Sequence, residues 1–346
     1  MKSKTRNLTK MYLNSNMTLF LITLALIASV TACNSDKKTG GQQTGTADTA
    51  KAVNIPAFNA DSAYAYIAKQ LSFGPRVPNT KAHRDCGDWL VKTLKQYTPV
   101  VIEQKATLRA FNGTALQSRN IIASFNPEAN ARVLLCSHWD SRPWADHDPD
   151  PAMQKKPVPA ANDGASGVGV LIEIARQMHL QNPGLGVDIV LFDAEDYGEP
   201  QDQQGANENS WALGSQYWAA NPHVPNYSAL FGILLDMVGG QDAVFPKEQI
   251  SMYYAPNIVQ TVWSTADRLG YGQLFSNEKS GPVTDDHQYV NKIMNIPVID
   301  IIDYHDTREK GFNDQWHTTH DDLTHISKET LKGVGQTVIT VVYEAK

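Results

Sequence analysis

From residue 55 to residue 346, short apolar runs alternate with stretches whose apolar residues recur at helical spacing. That alternation predicts an α/β layer fold. Residues 61–71 read as a first helix with Asp61 as its N-cap. Residues 86–97 read as a second, with Trp89, Leu90, Leu94 and Tyr97 at helical spacing. Residues 100–111 and 118–124 read as strands, and residues 132–136 as a buried one. A helix over 168–179 places Val168, Leu171, Ile172 and Ala175 on one face. A further buried strand spans 187–192, a helix follows near 215–220, and 229–235 and 297–302 complete the core strands. No repeat or internal linker interrupts the pattern, so residues 55–346 are expected to form one domain.

Polar residues gather where the buried strands end. Residues 132–136 lead into His138 and Asp140, residues 187–192 into Asp193, Glu195 and Asp196, and residues 229–235 directly into Asp236. Open α/β sheets bind ligands outside the carboxyl ends of their strands, so this placement marks a candidate site.

The N-terminus has a different pattern. Lys2, Lys4, Arg6 and Lys10 precede an almost uninterrupted apolar run over 17–30. The run is shorter than the roughly 20 residues of a spanning helix and reads as an export signal over residues 1–32. Val30-Thr31-Ala32-Cys33 resembles a bacterial lipobox, which predicts cleavage before Cys33 and its lipidation. Residues 33–54, polar and rich in Gly, Thr and Gln, then form a flexible tether. The expected address is the periplasm or cell envelope, held to a membrane by lipid.

Composition narrows the remaining choices. The sequence pI is about 5.9 and the body of the chain has no basic block, which argues against a nucleic-acid partner. Loss of a leader with four basic and no acidic residues moves the net charge from −6 to about −10. Cys86 and Cys136 are then the remaining thiols, too few for a disulfide framework, and whether they pair stays open.

Four short segments carry candidate chemistry, and each has a bland reading when taken alone. His138-Trp139-Asp140 suits a surface turn, and Asn162-Asp163-Gly164-Ala165-Ser166-Gly167 suits a helix cap with its loop. Glu195-Asp196 suits a solvated loop, as does His317 with His320, Asp321, Asp322 and His325, near His305. Together they suit a zinc site, because carboxylate and imidazole are ordinary zinc ligands and a catalytic zinc keeps one position open. Adjacent acids are useful there, since one can bind the ion while its neighbour moves protons.

Read in order, Ser137-His138-Trp139-Asp140-Ser141, Asn162 to Gly167, Asp193-Ala194-Glu195-Asp196, Leu213-Gly214-Ser215, Leu235-Asp236 and His317-Thr318 resemble the zinc aminopeptidase family M28 over residues 73–322. Within it the chain looks most like bacterial glutaminyl cyclases of the animal type, through Leu234-Leu235-Asp236-Met237-Val238-Gly239, Asp285-Asp286-His287 and Trp316 before His317. The resemblance implies an open, mixed, largely parallel twisted sheet flanked by helices. It implies zinc held by Asp163, Asp196 and His317, with Glu195 as general acid and base and Asp236 and Asp285 in its proton and substrate network. Trp316, and with it Trp211, would wall the substrate pocket. His138 and Asp140 match the His-x-Asp that supports a second metal in the peptidases. Two positions depart from the pattern: Asp196 stands where animal cyclases and most of the peptidases carry Glu, and Asp300 where animal cyclases have His.

The implied reaction is cyclisation of N-terminal glutamine of peptides and proteins to pyroglutamate with release of ammonia, using one zinc. The alternative is an aminopeptidase with two zincs, in which His138, Asp163, Asp196, Asp236 and His317 are all ligands and Glu195 activates water. A catalytically silent binding lipoprotein is the third reading. Glu195 speaks against it, because a silent protein has no chemical need for a free carboxylate there.

Overall fold

The first helix begins where Asn59 can cap it, its side chain accepting the Ser62 N–H at 3.0 Å. Asp61, expected as the cap, lies instead inside the first turn of α1 (Ala60–Leu71), where its charge complements the helix dipole. In this computed structural model, residues 54–200 and 207–345 are described. The export signal, Cys33 and the tether up to residue 53 lie outside them. Helix α2 (Lys81–Leu94) starts five residues before the expected position. Thr80 caps it through the His83 N–H, and a polar first turn hides that start from an apolar count.

Strands β1 (Val100–Arg109) and β2 (Ala115–Phe125) form an antiparallel hairpin, followed by β3 (Arg132–His138), α3 (Ala165–Leu180), β4 (Gly186–Phe192), α4 (Leu213–Ala220) and β5 (Phe231–Asp236). The chain continues through β6 (Phe245–Lys247), α5 (Gln249–Tyr254), α6 (Pro256–Arg268), β7 (Phe275–Lys279), α7 (Asp286–Met294), β8 (Val298–Ile302) and α8 (Lys328–Glu344). The main sheet has the order β1-β2-β4-β3-β5-β8. Its β4, β3, β5 and β8 are parallel, and β1 and β2 add an antiparallel edge.

Alternate strand residues bury on opposite faces. Leu135, Ile189, Leu191, Ile233, Leu235 and Ile299 pack with α1, α2, α3, α6 and α8, whereas Leu134, Val190, Leu234 and Val298 pack with Trp218 of α4 and Val290 of α7. Burial on both sides explains the continuous apolar runs of these strands. Cys86 belongs to the first cluster and Cys136 to the second, so the sheet separates them; both are free.

Helix α8 escaped the sequence reading because residues 337–342 form a run of β-branched residues preceded by Gly333 and Gly335, which favours strand. Gly335 is needed for close packing, since a Cβ there would meet the Phe58 ring at 2.3 Å. Among the described residues no helix is long and apolar enough to cross a membrane.

The chain leaves β3 through α3 to reach β4 on one side, then passes through α4 to β5 on the other side of β3. This reversal opens a crevice beyond the carboxyl end of β3. The polar strand ends surround it.

Candidate active site

Asp163 enters the crevice from the loop before α3. Its own N–H and that of Asn162 donate to the Asp321 carboxylate at 3.0 and 2.8 Å, and the Asn162 side chain accepts the Gly239 N–H. Gly164 follows with φ +89°, where a Cβ would come within 2.8 Å of the His138 ring. Glu195 and Asp196 follow β4 after Ala194, which has φ +56°. Asp236 ends β5 just before Met237 at φ +49°, and His317 itself has φ +54°. Non-glycine residues in the left-handed region are held there only by a surrounding structure that over-determines them, and such strain concentrates at functional sites.

Asp163, Asp196 and His317 each offer a ligand atom, and these atoms all lie within 4.8 Å of one another. His317 Nε2 is 3.1 Å from Asp196 Oδ1 and 3.5 Å from Asp163 Oδ2. A second group shares Asp163: His138 Nε2 lies 2.9 Å from Asp163 Oδ1 and 3.2 Å from Asp236 Oδ1. Asp140 stands behind, its carboxylate accepting the backbone N–H groups of Glu195 and Asp196.

The donor set fits a cation such as zinc. Both Asp196 oxygens are buried and accept no hydrogen bond. Burial, reinforced by Asp163, pushes the Asp196 carboxyl well above its usual range. Burial also raises Glu195, with Asp285 and Asp196 adding to the rise and the His138 charge opposing it. For His138, burial favours the neutral ring, but Asp140, Asp163 and Asp236 overcome it and hold the proton. His317 is pushed down by burial and by the Arg142 charge, which leaves a neutral imidazole suited to ligation. A carboxylate such as Asp196, without a hydrogen bond and crowded by Asp163 in a low-dielectric space, is the arrangement a bound cation relieves.

The pocket above these groups has a volume of about 430 Å³. Glu195, Asp236 and Asp285 line it, together with Trp211, Trp316, Phe312 and Tyr304. The Trp316 ring stacks on His317 at 3.9 Å and Trp211 lies parallel to the same imidazole at 5.9 Å. Asp285 caps α7. Behind it, Asp300 is buried in the middle of β8, and together with Asp285 and His287 it forms another close group.

Several contributors escaped the sequence reading. Asp321 was visible only as one polar residue in a His-rich stretch, yet it anchors the Asp163 loop. His83 was missed altogether: it forms a buried pair at 2.9 Å with Asp193, 110 positions away and itself visible at a strand end, and the pair fixes the start of the Glu195 loop. Arg142 and Asp146 gave no signal beyond proximity to Asp140, and Phe312 and Tyr304 none at all.

The chain is similar in sequence and fold to known proteins. The sequence model of peptidase family M28 matches residues 120–342. The solved structure of a Zn-dependent exopeptidase from Parabacteroides distasonis is 56% identical, with a TM-score of 0.83 over 84% of this chain and 100% of that one. Glutaminyl cyclase from Bacteroides thetaiotaomicron, solved with N-acetylhistamine, is 52% identical, with a TM-score of 0.83 over 85% and 100%. Glutaminyl-peptide cyclotransferase of Boiga irregularis is 23% identical over 252 residues, and the chain spans 65% of that relative's length.

Proposed function

Because this chain belongs to peptidase family M28, we propose that its pocket cyclises N-terminal glutamine of peptides and proteins to pyroglutamate, releasing ammonia. The observation that carries this reading is Glu195, a carboxyl group lining an aromatic pocket beside Asp163, Asp196 and His317 while standing outside that ligand set. The 52% identity to a glutaminyl cyclase over the whole of that chain supports it.

Asp163, Asp196 and His317 would hold one zinc, which supplies a Lewis acid for the γ-amide carbonyl of the substrate. Glu195 takes a proton from the α-amine as its nitrogen attacks the γ-amide carbon. A new C–N bond closes the five-membered lactam, the old C–N bond to the amide nitrogen breaks, and Glu195 returns the proton to the departing ammonia. Standing beside the ligand set and not in it, Glu195 keeps a carboxylate free to hold the proton between the two transfers. Asp236 and Asp285 face the same space and receive the α-amino group. Trp211, Trp316 and Phe312 keep the flexible glutamine side chain folded toward its own amine and exclude water that would hydrolyse the amide.

The rival reading is a two-zinc aminopeptidase, and two observations favour it: His138, Asp163 and Asp236 also converge within 4.8 Å, and the similar structure at 56% identity is named a Zn-dependent exopeptidase. Incubation with Gln-β-naphthylamide and Leu-β-naphthylamide separates the two. Ammonia from the first without naphthylamine from either supports the cyclase; naphthylamine release overturns it.

The reading extends to the cell envelope, with Cys33 as a lipid anchor. Support comes from the basic start, the short apolar run and the lipobox-like residues before Cys33. Labelled fatty acid should enter the wild-type chain and not Cys33→Ala.

A further inference from the structure

Residues 142–148, in the loop after β3, do not line the pocket, yet they grip the segments that carry Asp196 and His317. Arg142 in this loop is fully buried. Its guanidinium forks onto Asp146, with Nε 2.7 Å from Oδ1 and Nη2 2.6 Å from Oδ2. The remaining nitrogen, Nη1, donates to the carbonyl oxygens of Asp196 at 3.0 Å and Gly198 at 3.3 Å. The guanidinium lies 4.6 Å from the Trp211 ring and 5.1 Å from that of Trp144.

Asp146 continues the chain of contacts to His317. Its Oδ1 faces His317 Nδ1 at 3.6 Å, the ring nitrogen opposite the one directed at Asp163 and Asp196. The same loop holds the His317 backbone: the His147 N–H donates to the His317 carbonyl at 3.1 Å. Asp148 accepts the N–H and hydroxyl of Thr319 at 2.9 and 2.6 Å. These bonds constrain the segment in which His317 keeps its left-handed backbone.

A carboxylate facing one ring nitrogen of a ligating histidine favours, through its charge, a proton on that nitrogen, which leaves the other nitrogen free for the ion. An unneutralised carboxylate here would repel Asp163 and Asp196. The bidentate Arg142 fork removes that penalty and fixes the carboxylate plane. We propose that Arg142 and Asp146 are a positioning pair that presets His317 and Asp196 for the cation, so that the zinc affinity of the site depends on two residues outside the ligand set.

The inference rests on the metal reading and not on the identity of the substrate. Its test therefore measures zinc directly, by competition with a coloured chelator, on the purified full chain. Asp146→Asn, which keeps the shape of the side chain, is expected to weaken zinc binding by about ten- to a hundredfold. Arg142→Lys, which keeps the charge and loses the fork, should fall between that variant and wild type. At saturating zinc, Asp146→Asn should retain the wild-type KM. The control is Asp188→Asn, which breaks a buried pair with Arg132 on the amino-terminal half of β4. It should lower the melting temperature and leave zinc affinity unchanged. Zinc affinity that is unchanged in folded Asp146→Asn overturns the proposal. So does an equal loss in Asp188→Asn, or a wild-type chain that binds no zinc. A poorly folded Arg142→Lys would leave the Asp146→Asn comparison intact.

Discussion

Asp140 aims Glu195 without touching its side chain. One oxygen of Asp140 accepts the Glu195 backbone N–H at 3.1 Å and the other accepts that of Asp196 at 3.2 Å, so one carboxylate sets the directions of base and ligand together. Glu195→Gln should therefore lower kcat by about 10²- to 10⁴-fold, the usual contribution of a general acid–base group, while zinc content stays at the wild-type level. Asp140→Asn can accept only one of the two N–H groups and should lower kcat less steeply. Ammonia-release kinetics with metal analysis on both variants checks the order. Full activity in Glu195→Gln would remove the assigned base.

Trp316 is packed between His317 and Phe312, with ring centroids at 3.9 and 4.2 Å. Trp316→Ala should raise the KM for N-terminal glutamine about tenfold, from the loss of ~1–2 kcal/mol of aromatic contact. It should also admit water, so that N-terminal glutamate appears beside pyroglutamate. Mass spectrometry of the product peptide distinguishes the two, and a product mixture identical to wild type would count against water exclusion by this wall.

Zinc removal should destabilise as well as inactivate. A ligand at a hundredfold excess over its Kd stabilises the folded state by about 3 kcal/mol. Addition of a strong chelator should therefore lower the melting temperature by on the order of 5 °C. Titration back to the original midpoint should need one zinc per chain; a requirement for two would favour the peptidase reading.

Glu248 links acid stability to the wall behind the pocket. Burial alone would raise its carboxyl. The His287 ring, with the N–H groups of Ser251 and Ile250, more than reverses this and draws it from 4.5 down to about 2. A folded-state value below the unfolded one means stability that is complete above about 4.5 and is lost as the pH falls toward 2. Chelator-treated wild type should exceed Glu248→Gln by about 3 kcal/mol at neutral pH. That gap should close through this window in urea titrations. A gap independent of pH would refute the assignment.

Gly167 allows α3 to lie directly on β5. A Cβ there would sit 2.2 Å from the Leu235 carbonyl oxygen and 2.4 Å from Ser137 Oγ. Gly167→Ala should cost about 1–3 kcal/mol by overpacking and, by displacing the Asp163 segment from Asp196 and His317, should also weaken zinc binding. Denaturant midpoints and chelator competition read the two effects separately.

Much of this architecture is legible in the sequence because strands buried on both faces must be continuously apolar. Leu134, Val190 and Leu234 stand out for that reason, and so do the acids that interrupt them at Asp193 and Asp236. The motif residues carry enough local chemistry to be singled out before their convergence is known. Partners defined only by the tertiary fold are another matter. Nothing near Asp163 announces that Asp321 will hold its backbone, and nothing near His317 announces Asp146. The loop after β3 resembles any polar turn until the chain has folded. Helix α8 was hidden differently: its β-branched residues favour extended backbone locally, and burial against α1 and α6 decides otherwise.

The position of Cys86 and Cys136 on opposite sides of the main sheet bears on how this domain matures. Its core closes by packing alone, with no oxidative crosslink between these thiols to be formed or reshuffled. Production in a reducing host should therefore give the same fold as passage through an oxidising compartment. Monothiol reductants can be present during refolding without loosening the domain, whereas dithiols would compete for the zinc.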